Sequence, residues 1–237
     1  CVMAASNVTG VVQPLAEVAA ICAHSDVPLH VDAVQAAAGA DVDVAALPGE
    51  VTLAVAAHKL GGPRGVGALV GPGVRSLAPI THGGGQEGGL RPGTEDVAGA
   101  VALAAALAIR QGPDAAGERE RRVALRDDLE RRLALPVAGG AAPRLPGHAL
   151  LLTGYRGDTV VRLLDERGIA VSAGSACASG STAPDPVLGA MGIDPAFARG
   201  AVRVTLGPET AAADVDALVA AWADIETGLA AAREASA

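Results

Sequence analysis

Val51-Thr52-Leu53-Ala54-Val55-Ala56-Ala57-His58-Lys59 is an apolar run that ends in an imidazole and a primary amine. A shorter run upstream, Pro28-Leu29-His30-Val31-Asp32, ends in a carboxylate. Short apolar runs bounded by turn residues suit strands covered on both faces. Helical patterns lie between such runs, and apolar strands alternating with helices imply an α/β fold with a mixed, mostly parallel sheet. Ligands of such sheets gather at the carboxyl ends of the strands. Asp32, His58 and Lys59 stand at those ends. Lys59 is also the only lysine, the other 17 of the 18 Lys+Arg residues being arginine. An ε-amine, unlike a guanidinium, can lose its proton and attack a carbonyl. Taken alone, the stretch reads equally as a Schiff-base lysine or as one retained surface lysine.

Working outward, residues 2–5 read as a strand end, 6–10 as a loop, and 14–24 as a helix with Pro14 in its first turn. Leu15, Val18, Ala19 and Cys22 share one face of that helix, which makes Cys22 a core residue. A strand at 65–70 precedes a loop over 81–94 whose glycines permit close backbone approach to a ligand or partner. A helix over 95–110 follows. Gln111-Gly112-Pro113-Asp114 breaks two long helical patterns and marks a boundary, giving domains at 1–112 and 113–237. The second reads as a long charged helix (115–134), a strand (148–153), a helix (158–167), a strand around 170–172, a loop bearing Cys177, a strand (201–206) and a closing helix (210–231). This is a smaller C-terminal α+β domain.

Composition narrows the functional classes. The 237 residues are 50% hydrophobic, enough for a sizeable core. Tyr155, Phe197 and Trp222 are the only aromatics, which leaves no base-stacking platform. A formal charge of -8 opposes a nucleic-acid surface. The arginines and acids interleaved between Glu118 and Arg132 read as a solvated helix face. No apolar run approaches a membrane span and no secretory signal pattern opens the chain; a cytoplasmic protein is expected. Cys1, Cys22 and Cys177 make neither a disulfide framework nor a zinc site, so no metal is expected.

An Asp and a Lys at neighbouring strand ends match what pyridoxal phosphate requires: a carboxylate to keep the ring nitrogen protonated, and an amine to take the aldehyde. Each residue has a plainer reading beside it. Asp32 would equally cap the turn over 33–38, Gln35 would be solvated, and His58 would be a hydrogen-bonded strand-end histidine. Cys177, in Ser172-Ala173-Gly174-Ser175-Ala176-Cys177-Ala178-Ser179-Gly180, is a chemically available loop thiol or an incidental one. Arg203 alternates with apolar neighbours in Ala201-Val202-Arg203-Val204-Thr205-Leu206 and could fork onto a carboxylate.

Five ordered motifs combine these residues. They are His30-Val31-Asp32-Ala33-Val34-Gln35; Ala57-His58-Lys59 with the glycines of 61–67; His82-Gly83-Gly84-Gly85-Gln86 with Arg91-Pro92-Gly93-Thr94; Ser172 to Cys177; and Val202-Arg203. Together they resemble the cysteine desulfurases, pyridoxal-phosphate enzymes of the class V aminotransferase-like group with fold type I. The resemblance implies a partial large cofactor domain followed by the small domain. It implies that Lys59 carries the cofactor and shuttles protons, that Asp32 pairs with the ring nitrogen, and that Gln35 and Asn7 bond the phenolic oxygen. His58 would contact the phosphate, and Thr94 would complete the phosphate cup of a neighbouring subunit, implying a homodimer. Asn7 and Arg203 would hold the carboxylate of L-cysteine.

On the same resemblance, Cys177 would take the substrate's sulfur as a persulfide and release L-alanine. The Ser-Ala-Gly-Ser-Ala-Cys loop is similar to that of members delivering sulfur to a scaffold or carrier protein, as in iron–sulfur cluster assembly. Where family members often carry Ser two residues before the His, this chain has Ala56. The resemblance enters well inside the family's length, so the chain reads as N-terminally truncated. Selenocysteine lyase, another class V lyase, and a truncated non-catalytic paralogue are the alternative readings.

Overall fold

The computed structural model describes residues 1–174 and 185–235. The chain divides into two compact units: Cys1–Ser6 with Val12–Ala115, and Asn7–Val11 with Ala116–Ala237. Five residues near the start thus group with the later unit.

The first unit is built on a four-stranded sheet of β1 (Val2–Met3), β2 (Leu29–Asp32), β3 (Val51–Ala56) and β4 (Gly67–Val70), in that spatial order. β1, β2 and β3 run parallel, with Val31 opposite both Val2 and Leu53, and β4 returns antiparallel with Val70 opposite Leu53. The sheet is therefore mixed and mostly parallel, as the spacing of apolar runs implies. Val31 and Val51 are fully buried. Helix α1 (Leu15–His24) connects β1 to β2, burying Leu15 and Ala19. Cys22 on the same face is only half-buried, so its expected core position is corrected to the margin of the packed face. Helix α2 (Val97–Arg110) begins at Asp96, whose Oδ1 accepts the Gly99 N–H at 2.9 Å. Such a cap is worth about 1 kcal/mol, and it places the start two residues later than the pattern predicts. Buried Leu103 and Ala106 pack against Ala57 and Leu60.

In the second unit, helix α3 (Ala115–Leu133) stops at Ala134, whose φ of 51° breaks the helical repeat. It is followed by β5 (His148–Leu152), α4 (Gly157–Asp165), β6 (Ser172–Ala173), α5 (Pro186–Ala190), α6 (Pro195–Ala198), β7 (Ala201–Thr205) and α7 (Ala212–Glu234). The strands form an antiparallel sheet in the order β5-β7-β6. Successive residues of β5 serve opposite faces. Ala149 and Leu151 pack with Leu129, Leu164, Leu218 and Trp222 of the long helices, whereas Leu150 and Leu152 pack with Val8, Leu188 and Ala198. Both faces are covered, which is why the strand reads as an unbroken apolar run. Burying a side chain such as Leu150 contributes about 2 kcal/mol.

The reading of α3 as a solvated charged face is corrected. Arg122 is buried against Glu118, its Nε 2.7 Å from Oε1. Arg144 forks onto Glu130 at 2.6 and 2.9 Å with its side chain only 6% exposed. Arg126 donates to the Leu145 carbonyl at 3.1 Å, and Arg121 to those of Pro208 and Thr210. The arms are long enough to reach neighbouring segments, so the charge repeat serves tertiary attachment as well as solvation.

Candidate active site

β2 and β3 place their chemistry through register. Asp32 pairs with Ala54, so β3 runs on past the level of Asp32 before turning. Asp32 is exposed; its main-chain carbonyl accepts the Ala4 N–H at 2.7 Å, and its Oδ1 accepts the Val34 N–H at 3.0 Å. Half of the carboxylate therefore stabilises the local turn, the plainer role foreseen for it. Oδ2 has no hydrogen-bond partner among the described residues and remains open to a ligand. Gln35, half-buried, leads into the short turn Ala36–Ala38. Two residues before Asp32, His30 Nδ1 lies 2.9 Å from Thr52 Oγ1.

Beyond β3, Ala57–Lys59 form one tight turn in which Ala57 is buried and His58 and Lys59 are exposed. The turn is anchored from beneath. Leu60 is 2% exposed, its N–H and that of Gly62 both donate to the Ala57 carbonyl at 2.9 Å, and Arg110 Nε donates to the Leu60 carbonyl at 3.0 Å. A Cβ on Gly62 would lie 3.1 Å from that of Ala57 and 3.3 Å from that of Ala106. The glycine after Lys59 is thus a packing requirement that keeps the turn on α2. Thr94 is exposed, with Arg91 Nη1 donating to its carbonyl and to that of Gly93 at 3.4 Å each.

In the second unit, Arg203 on β7 donates from Nη1 to the main-chain carbonyl of Asn7 at 2.9 Å and from Nη2 to Ser172 Oγ at 3.5 Å. The structure thus joins Asn7 to Arg203 across nearly the whole chain. The contact uses Asn7's backbone, so its amide side chain is not consumed by it. Ser172, which opens the stretch leading to Cys177, was not singled out from sequence. Cys177 lies outside the described residues.

His148 was also missed. It is 6% exposed, with Nε2 3.0 Å from the Val8 carbonyl. Burial lowers the affinity of its ring for a proton below the ordinary value of 6.5; the bond to Val8 opposes this, and the charges of Arg203 and Arg144 reinforce it. A polar residue opening the apolar run His148-Ala149-Leu150-Leu151-Leu152 was the available signal.

A carboxylate and a primary amine exposed at the ends of adjacent parallel strands, with an imidazole and an amide beside them, are the donor set that an aldehyde cofactor with a basic ring nitrogen and a phosphate calls for. Nothing in that set conflicts with such a group. Among the described residues no cluster of His, Cys, Asp and Glu is arranged to hold a metal ion, and no helix is long and apolar enough to cross a membrane.

Comparison with known proteins gives the same direction. The family model described as "Aminotransferase class-V" matches residues 1–218. The IscS-like cysteine desulfurase of Mycobacterium tuberculosis is 42% identical over 224 residues, covering 91% of this chain and 56% of that protein. The cysteine desulfurase CsdA of Escherichia coli is similar in structure, with a TM-score of 0.79 and 28% identity over 96% of this chain and 58% of that one. SspA in complex with cysteine gives a TM-score of 0.66 and 30% identity, covering 88% of this chain and 58% of that one. The chain spans little more than half the length of these relatives.

Proposed function

The chain belongs to the class V aminotransferase family, and from that premise we propose that it is part of a cysteine desulfurase that converts L-cysteine to L-alanine and transfers the sulfur to Cys177. The observation that carries this reading is Lys59, the chain's single lysine, exposed on a buttressed turn at the carboxyl end of β3 beside the strand that ends in Asp32. We assign 1–112 to the cofactor domain and 113–237 to the small domain. The similarity of named desulfurases supports the desulfurase reading.

Pyridoxal phosphate, when bound, supplies an aldehyde carbon and a protonated ring that draws electrons. Lys59 Nζ would hold it covalently and would move protons to and from the substrate carbon skeleton. Asp32 would keep the ring nitrogen protonated through its open carboxylate oxygen, Gln35 and Asn7 would bond the phenolic oxygen, and His58 would contact the phosphate. Arg203 and Asn7 hold the carboxylate of L-cysteine. Cys177 Sγ bonds to the substrate's sulfur as that sulfur's bond to carbon breaks. The electron pair remains with carbon and is quenched by a proton, giving L-alanine and a persulfide on Cys177. A scaffold or carrier protein then accepts the sulfur. In a homodimer, Thr94 serves the phosphate of the neighbouring subunit. The use of a free thiol fits a reducing compartment, the cytoplasm.

The cofactor-loaded protein should show a visible absorbance band from the cofactor joined to Lys59, and Lys59→Ala should abolish it. A band surviving in that variant would overturn the assignment.

A further inference from the structure

We propose that His148 is a positioning residue for the substrate carboxylate, fixing the segment Asn7–Val11 so that Asn7 is presented together with Arg203. The inference rests on the reading that Asn7 and Arg203 receive that carboxylate. Its ground is the way the second unit grips this segment. Asn7's carbonyl accepts from Arg203 Nη1 at 2.9 Å, Val8's from His148 at 3.0 Å, and Gly10's from the Leu145 N–H at 2.8 Å. Val11 adds an antiparallel bridge to Arg144. The two side-chain donors share a surface. Leu150 is opposite Arg203 across the β5–β7 ladder and His148 lies two residues before Leu150, so the side chains of His148 and Arg203 project from the same face of the sheet. Val8 is buried against Leu150 on that face.

Val8 and Thr9 are each 2% exposed, so the bond between the Val8 carbonyl and His148 Nε2 is shielded from water and solvent does not readily replace it. The ring is also the wall of the turn. Gly10 has φ +75°, and a Cβ there would stand 2.7 Å from both Cβ and Cγ of His148. The chain can bend back at Gly10 only because glycine lets it pass the imidazole. To donate to a carbonyl, Nε2 must carry the proton, which fixes the neutral ring as the Nε2–H tautomer.

His148 touches neither cofactor nor substrate in this scheme and acts through Asn7. A carboxylate contact is kept in ground and transition states alike, so its disturbance raises KM more than it lowers kcat. Three variants of the cofactor-loaded enzyme test this. His148→Phe fills the ring's volume without a donor, His148→Gln carries an amide nitrogen about as far out as Nε2, and Asn7→Ala removes the presented side chain. For His148→Phe, KM for L-cysteine and the calorimetric dissociation constant for L-alanine should each rise about tenfold, the size expected of one buried hydrogen bond. The kcat should stay within about twofold, and His148→Gln should recover most of the loss. Asn7→Ala raising KM while His148→Phe leaves it unchanged would overturn the inference and spare the carboxylate reading. Asn7→Ala leaving KM unchanged would overturn both. Should His148→Phe fail to fold, nitrogen NMR of the wild-type ring decides: the Nε2–H tautomer supports the grip on Val8, and the Nδ1–H tautomer refutes it.

Discussion

The positions of Asp32 at the end of β2 and of Lys59 at the close of the turn after β3 were legible in the order of apolar runs, and strand ends in a parallel sheet gather ligands. Arg203 was legible as a polar interruption in an apolar run, but its partner was not. No local pattern links a strand residue with the main-chain carbonyl of Asn7 far upstream, and only resemblance named the two together. His148 escaped notice because a single histidine at the start of a strand carries no periodic signal, and its importance comes from the segment that packs against it. The same burial gives a pH signature. In the unfolded chain the ring takes a proton at about 6.5. In the fold its affinity is lower because it is buried, and Arg203 and Arg144 face it with like charge, against the opposing bond to Val8. Stability is therefore full above about pH 6.5 and declines as pH falls through that value toward the folded pKa, because the unfolded state binds the proton more readily. Urea midpoints measured from pH 8 to about 5.5 should fall for wild type and flatten in His148→Gln; parallel slopes would contradict the neutral buried ring.

Elements announced themselves unevenly. β3 and β5 stand out as nearly continuous apolar runs, whereas β2 alternates buried Leu29 and Val31 with His30 and Asp32. The short helices α5 and α6 were passed over although their signals were present: Asp185-Pro186 and Asp194-Pro195 each place a capping carboxylate before a proline in the first turn. Both caps form, accepting the N–H groups of Val187 and Ala196 at 2.9 and 2.7 Å. With four or five helical residues each, they offered too little periodicity to weigh. α3 misled in the opposite way, since interleaved charge is the pattern of an exposed helix, and only the tertiary structure shows which charges are covered. Most of its ion pairs are exposed and contribute little. Arg122–Glu118 and Arg144–Glu130 are exceptions, the second with side chains 6% and 16% exposed and two hydrogen bonds. Arg144→Ala should lower stability by about 3 kcal/mol, because it strands a covered carboxylate on Glu130. A loss below about 1 kcal/mol in denaturant unfolding would place this pair with the surface pairs.

At the scale of the molecule, the α/β unit with its mixed sheet and the antiparallel α+β unit both follow from the order of apolar runs. The grouping of Asn7–Val11 with the later unit does not, because those residues read only as a loop. That short segment takes a residue expected to serve cofactor and substrate and secures its backbone to β5 and β7. In the proposed reaction Lys59 and Cys177 act together, the first carrying the cofactor and the second receiving sulfur. Peptide mass mapping of the cofactor-loaded enzyme after a single turnover of L-cysteine, with L-alanine quantified in parallel, tests it most directly. One added sulfur atom is expected on the peptide containing Cys177, with one L-alanine released for each, and neither product from Lys59→Ala. Sulfur found on Cys1 or Cys22 instead, or L-alanine formed without Lys59, would contradict that reaction.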